Sequence, residues 1–129
     1  MYFAENMTEK DALALNALAL AYVGDAVQSL YVRHKLATLN DVKANALHKM
    51  TSEAVKANAQ AILAEKVLPT FDETELSVYH RGRNSSPRHR AKNQTAADYR
   101  KATGLEAVLG YLYLTGQDER LLGILETQI

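Results

Sequence analysis

The sequence contains no cysteine, which excludes folds held by disulfides and metal sites built from thiolates. It also has no apolar run that approaches the roughly 20 residues needed to cross a bilayer. The first residues, MYFAENMTEKD, lack the basic and apolar regions of a signal peptide. From these absences we expect a soluble, cytoplasmic protein, and 129 residues suffice for one domain with one core.

An overall excess of charge is absent too, since 15 basic residues balance 15 acidic ones. The distribution is uneven, because residues 81–101 hold seven arginines and lysines against one acid, a net charge of +6 that leaves −6 on the remainder. Localised positive charge of this kind is typical of proteins that bind polyanions. Aromatic side chains are scarce in this segment, which disfavours base stacking and therefore a binder of single strands.

Helical periodicity dominates the chain, and no strand-like alternation persists. The pattern predicts an all-α fold and a single domain over residues 1–129. The predicted helices run from Thr8 to about Leu36, from Asn40 to Leu47, from Thr51 to Leu68, from about Asp72 to His80, from Ala96 to Leu114 and from about Asp118 to Glu126. Residues 81–95, RGRNSSPRHRAKNQT, are the one clear loop, and its length predicts a function or disorder.

Two of these helices have apolar positions that predict how they pack. The first is apolar nearly all round, which indicates a central helix buried on more than one side. Its positions at helical spacing are Leu18, Tyr22, Ala26 and Tyr31. The inner side of the third helix is expected to consist of Val55, Ala59, Ile62 and Leu63.

Two ionisable acids lie inside apolar helical segments, where they are unfavourable for packing alone. Asp25 follows Gly24 in AYVGDAVQSLY, and Glu106 precedes Gly110 in LEAVLGYLYL. Helical glycines are tolerated where another backbone approaches closely, so a crossing of the two helices would bring the acids face to face. Two close carboxylates cannot both ionise unless a cation intervenes, and Mg²⁺ needs only one or two of them.

Two motifs resemble those of a known family. YVGDAV at 22–27 resembles the signature of the ribonuclease III catalytic domain, and LEAVLGYLYL at 105–114 resembles its second acidic motif. YHRGRN at 79–84 and YRKATGLEA at 99–107 resemble the Mini-III branch, whose members have no double-stranded-RNA-binding domain. The resemblance implies a helical, homodimeric endoribonuclease that uses Mg²⁺, or Mn²⁺ in its place. It also implies double-stranded RNA as substrate, in particular the ends of the 23S ribosomal RNA precursor, and assistance from a large-subunit ribosomal protein.

Matched residue by residue, the resemblance assigns metal binding and catalysis to Asp25 and Glu106. The sequence departs from the usual family pattern at two positions, because Ala21 and Thr103 stand where further carboxylates are usual. The expected metal site is therefore reduced to two acids. With no separate RNA-binding domain expected, the basic segment must hold the RNA through phosphates and 2′-hydroxyls. The expected RNA-binding residues are Arg81, Arg83, Asn84, Ser85, Arg88, Arg90, Lys92 and Arg100.

Sequence spacing by itself leaves alternatives open. Each acid could form a salt bridge, for example with Arg33 or Arg100, and the basic loop could have no partner. A helical nucleotide pyrophosphohydrolase would need dense acidic motifs, and the one candidate, Asp72-Glu73-x-Glu75, resembles an exposed helix start. The chain could also be a non-catalytic RNA-binding module that kept the ribonuclease III fold.

Overall fold

The computed structural model describes residues 4–39, 43–85 and 95–128, and the secondary structure within these ranges is helical. The fold is all-α, as the sequence predicts. None of the helices in these ranges is both long and apolar enough to span a membrane. The helices are α1 (Glu9–Ala14), α2 (Ala17–Leu39), α3 (Ala44–Val55), α4 (Ala57–Val67), α5 (Glu73–Asn84), α6 (Ala96–Leu114) and α7 (Asp118–Glu126), with a 3₁₀ turn (Leu68–Thr70) after α4.

Helix α6 lies at the centre of the fold, with α2, α4 and α5 packed around it. Its residues are buried almost continuously from position 102 to position 112. A helix that is apolar on all sides is stable in water only when other elements cover all sides. The core is formed by α6 together with inward residues of the other helices, among them Leu20, Leu63, Val78, Leu121, Ile124 and Leu125.

The prediction that the first helix is buried on more than one side is wrong for the single chain. Most of the stripe expected to be buried faces solvent instead, with Leu18 40% exposed and Tyr22 82% exposed, whereas Tyr31 packs against the core. Leu30, on the same side of α2, is 51% exposed. Helix α2 therefore contacts the core along one face and presents an apolar face outward.

The long predicted first helix is divided into two. Thr8 caps α1 as expected, since its hydroxyl accepts the Asp11 N–H at 3.1 Å. Helix α1 then ends at Ala14, and Asn16 starts α2, its side-chain oxygen accepting the Ala19 N–H at 2.8 Å. An asparagine that can cap a helix competes with a continuous helix, and here the cap prevails.

The division between the next two helices lies at a different place from the predicted one. Thr51 is buried inside α3 rather than starting a helix, and its hydroxyl donates to the Leu47 carbonyl at 2.9 Å. The break occurs at Lys56, whose backbone is extended. On α4, Leu63 is buried as expected, but Ile62 is 68% exposed. The predicted start at Asn40 lies outside the described residues.

The C-terminal half follows the predicted bounds closely. Helix α5 begins with a capping box in which Asp72 accepts the Glu75 N–H and Glu75 accepts the Asp72 N–H. It continues to Asn84, one turn beyond the predicted end, so part of the predicted loop is helical. Helices α6 and α7 match the predicted bounds residue for residue.

Candidate active site

Helices α2 and α6 cross with their backbones in direct contact, and two glycines make this possible. A Cβ atom on Gly24 would lie 1.7 Å from the Glu106 carbonyl oxygen. A Cβ atom on Gly110 would lie 1.9 Å from the Leu20 carbonyl oxygen. Neither position can carry a side chain unless the helices separate. The crossing expected from the sequence is confirmed.

The crossing brings the side chains of Asp25 and Glu106 into hydrogen-bonding contact. Asp25 is exposed, and Glu106 lies partly buried beside it. Burial raises the pKa of Glu106 to about 9, and the hydrogen bond and negative charge of Asp25 act in the same direction. Without a cation, Glu106 therefore keeps its proton at neutral pH and donates it to Asp25.

Neither acid is neutralised by a basic side chain in the described part of the chain. Arg33 and Arg100, the partners considered from the sequence, are exposed to solvent. The ion pairs within residues 4–39, 43–85 and 95–128 are Lys56–Glu53, Lys101–Glu65 and Arg120–Glu75. The salt-bridge alternative is therefore not supported.

The two carboxyl groups fit a hard divalent cation. Oxygen donors are the ligands that Mg²⁺ prefers, and Mg²⁺ keeps several waters when few protein ligands are present. Burial and the neighbouring Asp25 carboxyl group raise the pKa of Glu106, so a cation between the two acids would favour ionisation of both. Within the described ranges, no group of three acidic or histidine side chains is placed to bind a metal. Asp25 and Glu106 are thus the residues that would hold one.

A third side chain contacts Glu106 and was not identified from the sequence. Gln60 of α4 is only 3% exposed, and its side chain hydrogen-bonds to Glu106. This bond lowers the pKa of Glu106, in opposition to burial and Asp25. A signal was present in the sequence, because Gln60 interrupts a stripe of alanines at helical spacing, Ala57, Ala61 and Ala64, all of them buried.

Arg81, one of the residues expected to bind RNA, is engaged within the fold. Its guanidinium donates to the carbonyl oxygens of Leu13 and Leu15, at 3.2 and 2.7 Å, where α1 ends. This arginine therefore caps the end of a helix and ties α5 to the segment between α1 and α2.

The other residues expected to bind RNA fall into two groups. Asn84, Ser85 and Arg100 are exposed, and Arg83 is partly exposed. Burial raises the pKa of the Tyr79 hydroxyl, and the positive charges of Arg83 and Lys101 act in the opposite direction. Three expected RNA-binding residues lie outside the described ranges, namely Arg88, Arg90 and Lys92.

Comparison with known proteins decides the family. The family model described as the ribonuclease III domain matches residues 18–117, which include both acids and the crossing that joins them. The chain belongs to the ribonuclease III family. Within it, the chain is 42% identical to the Mini-ribonuclease 3 of Clostridium tetani, over 99% of this chain and 85% of that protein. It is 43% identical to the Mini-ribonuclease 3 of a Thermoanaerobacter species, over 100% and 93% of the two chains.

A solved structure agrees with this assignment. The crystal structure of a Fusobacterium nucleatum protein superposes with a TM-score of 0.79 at 28% identity, over 91% of this chain and 93% of that one. The chain is thus an endoribonuclease of the ribonuclease III family, as the sequence motifs indicate.

Ribonuclease III membership gives significance to two buried residues beside the acids. Ala21 is buried one turn before Asp25, and its side chain has no atom that could bind a metal. Thr103 is buried one turn before Glu106, and its hydroxyl donates to the Tyr99 carbonyl at 3.0 Å within α6. The positions where the resemblance implies further carboxylates therefore contribute packing and a hydrogen bond within a helix here, and Asp25 and Glu106 remain the candidate metal ligands.

Proposed function

We propose that this endoribonuclease hydrolyses double-stranded RNA with Mg²⁺, or Mn²⁺ in its place, held by Asp25 and Glu106. The observation that carries the proposal is the contact between these two carboxyl groups, which have no basic partner among the described residues. An apolar residue could replace a largely buried acid that served only the fold, with no loss of stability. A catalytic metal site explains why Glu106 is present beside Asp25.

The two acids would act from different depths. Asp25 is exposed and reaches the cation and the substrate from the surface, whereas Glu106 lies behind it and must release its proton before it binds a cation. A bound Mg²⁺ supplies an activated water and stabilises negative charge on a phosphate oxygen. The glycine crossing holds the helices, and therefore the acids, in a fixed relation.

The basic segment supports RNA as a duplex rather than as a single strand. Arg83, Asn84, Ser85 and Arg100 offer donors on the surface formed by α5 and α6. Duplex RNA is recognised through phosphates and 2′-hydroxyls, which such side chains can bind without aromatic stacking. Arg81 is a weaker candidate, because backbone carbonyls already accept from its guanidinium.

The outward face of α2 supports a homodimer. A groove of about 780 Å³ follows this face, and Asp25 is one of the residues that line it. A second copy that covered the groove would bury apolar surface and place two active sites around a two-fold axis, one for each RNA strand. The apolar lining residues include Tyr22, Ala26, Leu30, Tyr31, Tyr113 and Leu122.

Membership of the Mini-ribonuclease 3 branch suggests a natural substrate for this proposed activity. The resemblance that led to the branch implies a duplex stem in the precursor of 23S ribosomal RNA, cut in the cytoplasm with the help of a large-subunit ribosomal protein. The catalytic domain alone would then both bind and cleave the RNA.

The test is incubation of the protein with a long perfect RNA duplex, with Mg²⁺ and with a chelator. Fragments carrying 5′ phosphates are expected with Mg²⁺ only. Asp25→Asn should abolish cleavage while leaving the circular dichroism spectrum unchanged, because one of two metal ligands is lost. Single-stranded RNA of the same sequence serves as the substrate control.

Two results would overturn the proposal in different ways. Cleavage by Asp25→Asn near the wild-type rate would remove the metal role of this residue. Salt-sensitive duplex binding without cleavage by the wild type would favour the non-catalytic module, with Ala21 and Thr103 as the physical reason.

A further inference from the structure

Gln60 is a buried polar residue in a helix that otherwise packs through alanine and leucine. It lies in α4, which packs against α6, and only 3% of its surface is exposed. A buried amide without hydrogen-bond partners is destabilising by about 1–3 kcal/mol, so an amide at this place requires an explanation. Its contact with Glu106 supplies one.

The chemistry of an amide suits a residue that supports a metal ligand. The amide nitrogen donates a hydrogen bond but carries no charge, so it can orient a carboxylate without cancelling the negative charge that attracts a cation. A lysine or arginine at the same place would neutralise Glu106 and compete with the metal. Hydrogen bonds from outside the coordination shell commonly hold metal ligands in position.

We propose that Gln60 is a positioning residue that orients the Glu106 carboxylate for metal binding. The inference rests on the proposed metal site and adds a member to it. Helix α4 thereby becomes part of the active site, although it supplies no metal ligand.

The test compares Gln60→Met with Gln28→Met. Methionine nearly preserves the volume of glutamine and removes the amide. Gln28 is the matched control, because it is also fully buried but its amide donates to Gln128, at 3.1 Å, and not to Glu106. Binding of Mn²⁺ in the absence of RNA is measured by electron paramagnetic resonance, and unfolding in urea is followed for each variant.

The expected result is a Mn²⁺ dissociation constant about 10-fold or more higher in Gln60→Met, with Gln28→Met at the wild-type value although it too is less stable. In cleavage assays, Gln60→Met should need more Mg²⁺ for half-maximal activity, and excess Mg²⁺ should restore most of the rate. If Gln60→Met does not fold, Gln60→Asn replaces it, because its shorter amide should lose contact with Glu106 and weaken binding.

Wild-type Mn²⁺ affinity in the folded Gln60 variant would overturn the inference, as would an equal loss in Gln28→Met. A separate variant, Glu106→Gln, keeps this outcome distinct from failure of the metal site itself. If Glu106→Gln binds Mn²⁺ as tightly as the wild type, the proposed function fails. If it loses binding while Gln60→Met does not, only the role of Gln60 is lost.

Discussion

Glu106 connects the chemistry of the site to the stability of the fold. Its pKa is raised from 4.5 to about 9 in the metal-free protein, so the folded state holds a proton that the unfolded state releases above about pH 4.5. Stability should therefore fall as the pH rises from about 4.5 to about 9, in contrast to the usual behaviour of a salt-bridged acid. Because the ionised form of Glu106 is unfavourable in the fold, a cation that binds beside it would stabilise the protein.

Glu106→Gln should remove this loss of stability at high pH. In chelator at pH 8, we expect the free energy of unfolding to exceed the wild-type value by roughly 1–3 kcal/mol, since a glutamine needs no proton to remain neutral. Below about pH 4.5 the difference should disappear, because Glu106 is then protonated in the unfolded state as well as in the folded state. Urea unfolding at a series of pH values measures it, and a difference that stays constant with pH would contradict the argument.

Arg81, one of the residues expected to bind RNA, also has a structural role in the fold. Its two hydrogen bonds to carbonyl oxygens at the end of α1 are made by a charged donor, so Arg81→Ala should lower the free energy of unfolding by about 1.5–3 kcal/mol. Arg100→Ala is the comparison, since Arg100 is exposed. It should weaken duplex binding with little change in stability, and equal stability of the two variants would refute the capping role.

At the scale of elements, the α2–α6 crossing depends on the absence of side chains. Gly24→Ala should cost several kcal/mol or prevent folding, because its Cβ would lie 1.7 Å from a backbone oxygen that cannot move alone. Gly123→Ala is the matched control, since nothing lies within 4 Å of the added Cβ on α7. It should stabilise the protein by up to about 1 kcal/mol. Chemical unfolding of both variants tests this.

Helix positions were predicted most accurately where one strong local signal stood alone. Helices α6 and α7 match their predicted bounds, and the start of α5 follows from the capping box at Asp72. The errors fell where local signals compete. Asn16 can sit within a helix or cap one, and Thr51 can cap a helix or bond back into it. Packing against neighbouring helices decides between such alternatives. The hydrophobic periodicity of a single segment carries no information about that packing.

For the whole molecule, the exposed apolar face of α2 makes the dimer testable. Tyr22→Glu or Leu30→Glu should produce a monomer, because a charge would have to be buried in the proposed contact. Ile62→Glu is the control, since Ile62 is an exposed apolar residue on α4 that does not line the groove. It should leave the dimer intact. Sedimentation velocity distinguishes the forms, and a monomeric wild type would exclude the dimer.

By itself, the sequence determined the helical class, the two acids and the glycines beside them, because these depend on local periodicity and residue type. It also carried the motifs that placed the chain in its family. Tertiary structure alone decided which faces are covered. It turned most of the predicted buried stripe of α2 outward, assigned Arg81 to a helix end, and brought Gln60 to Glu106 from 46 positions away. Such contacts depend on how helices cross, and the local sequence pattern does not encode that.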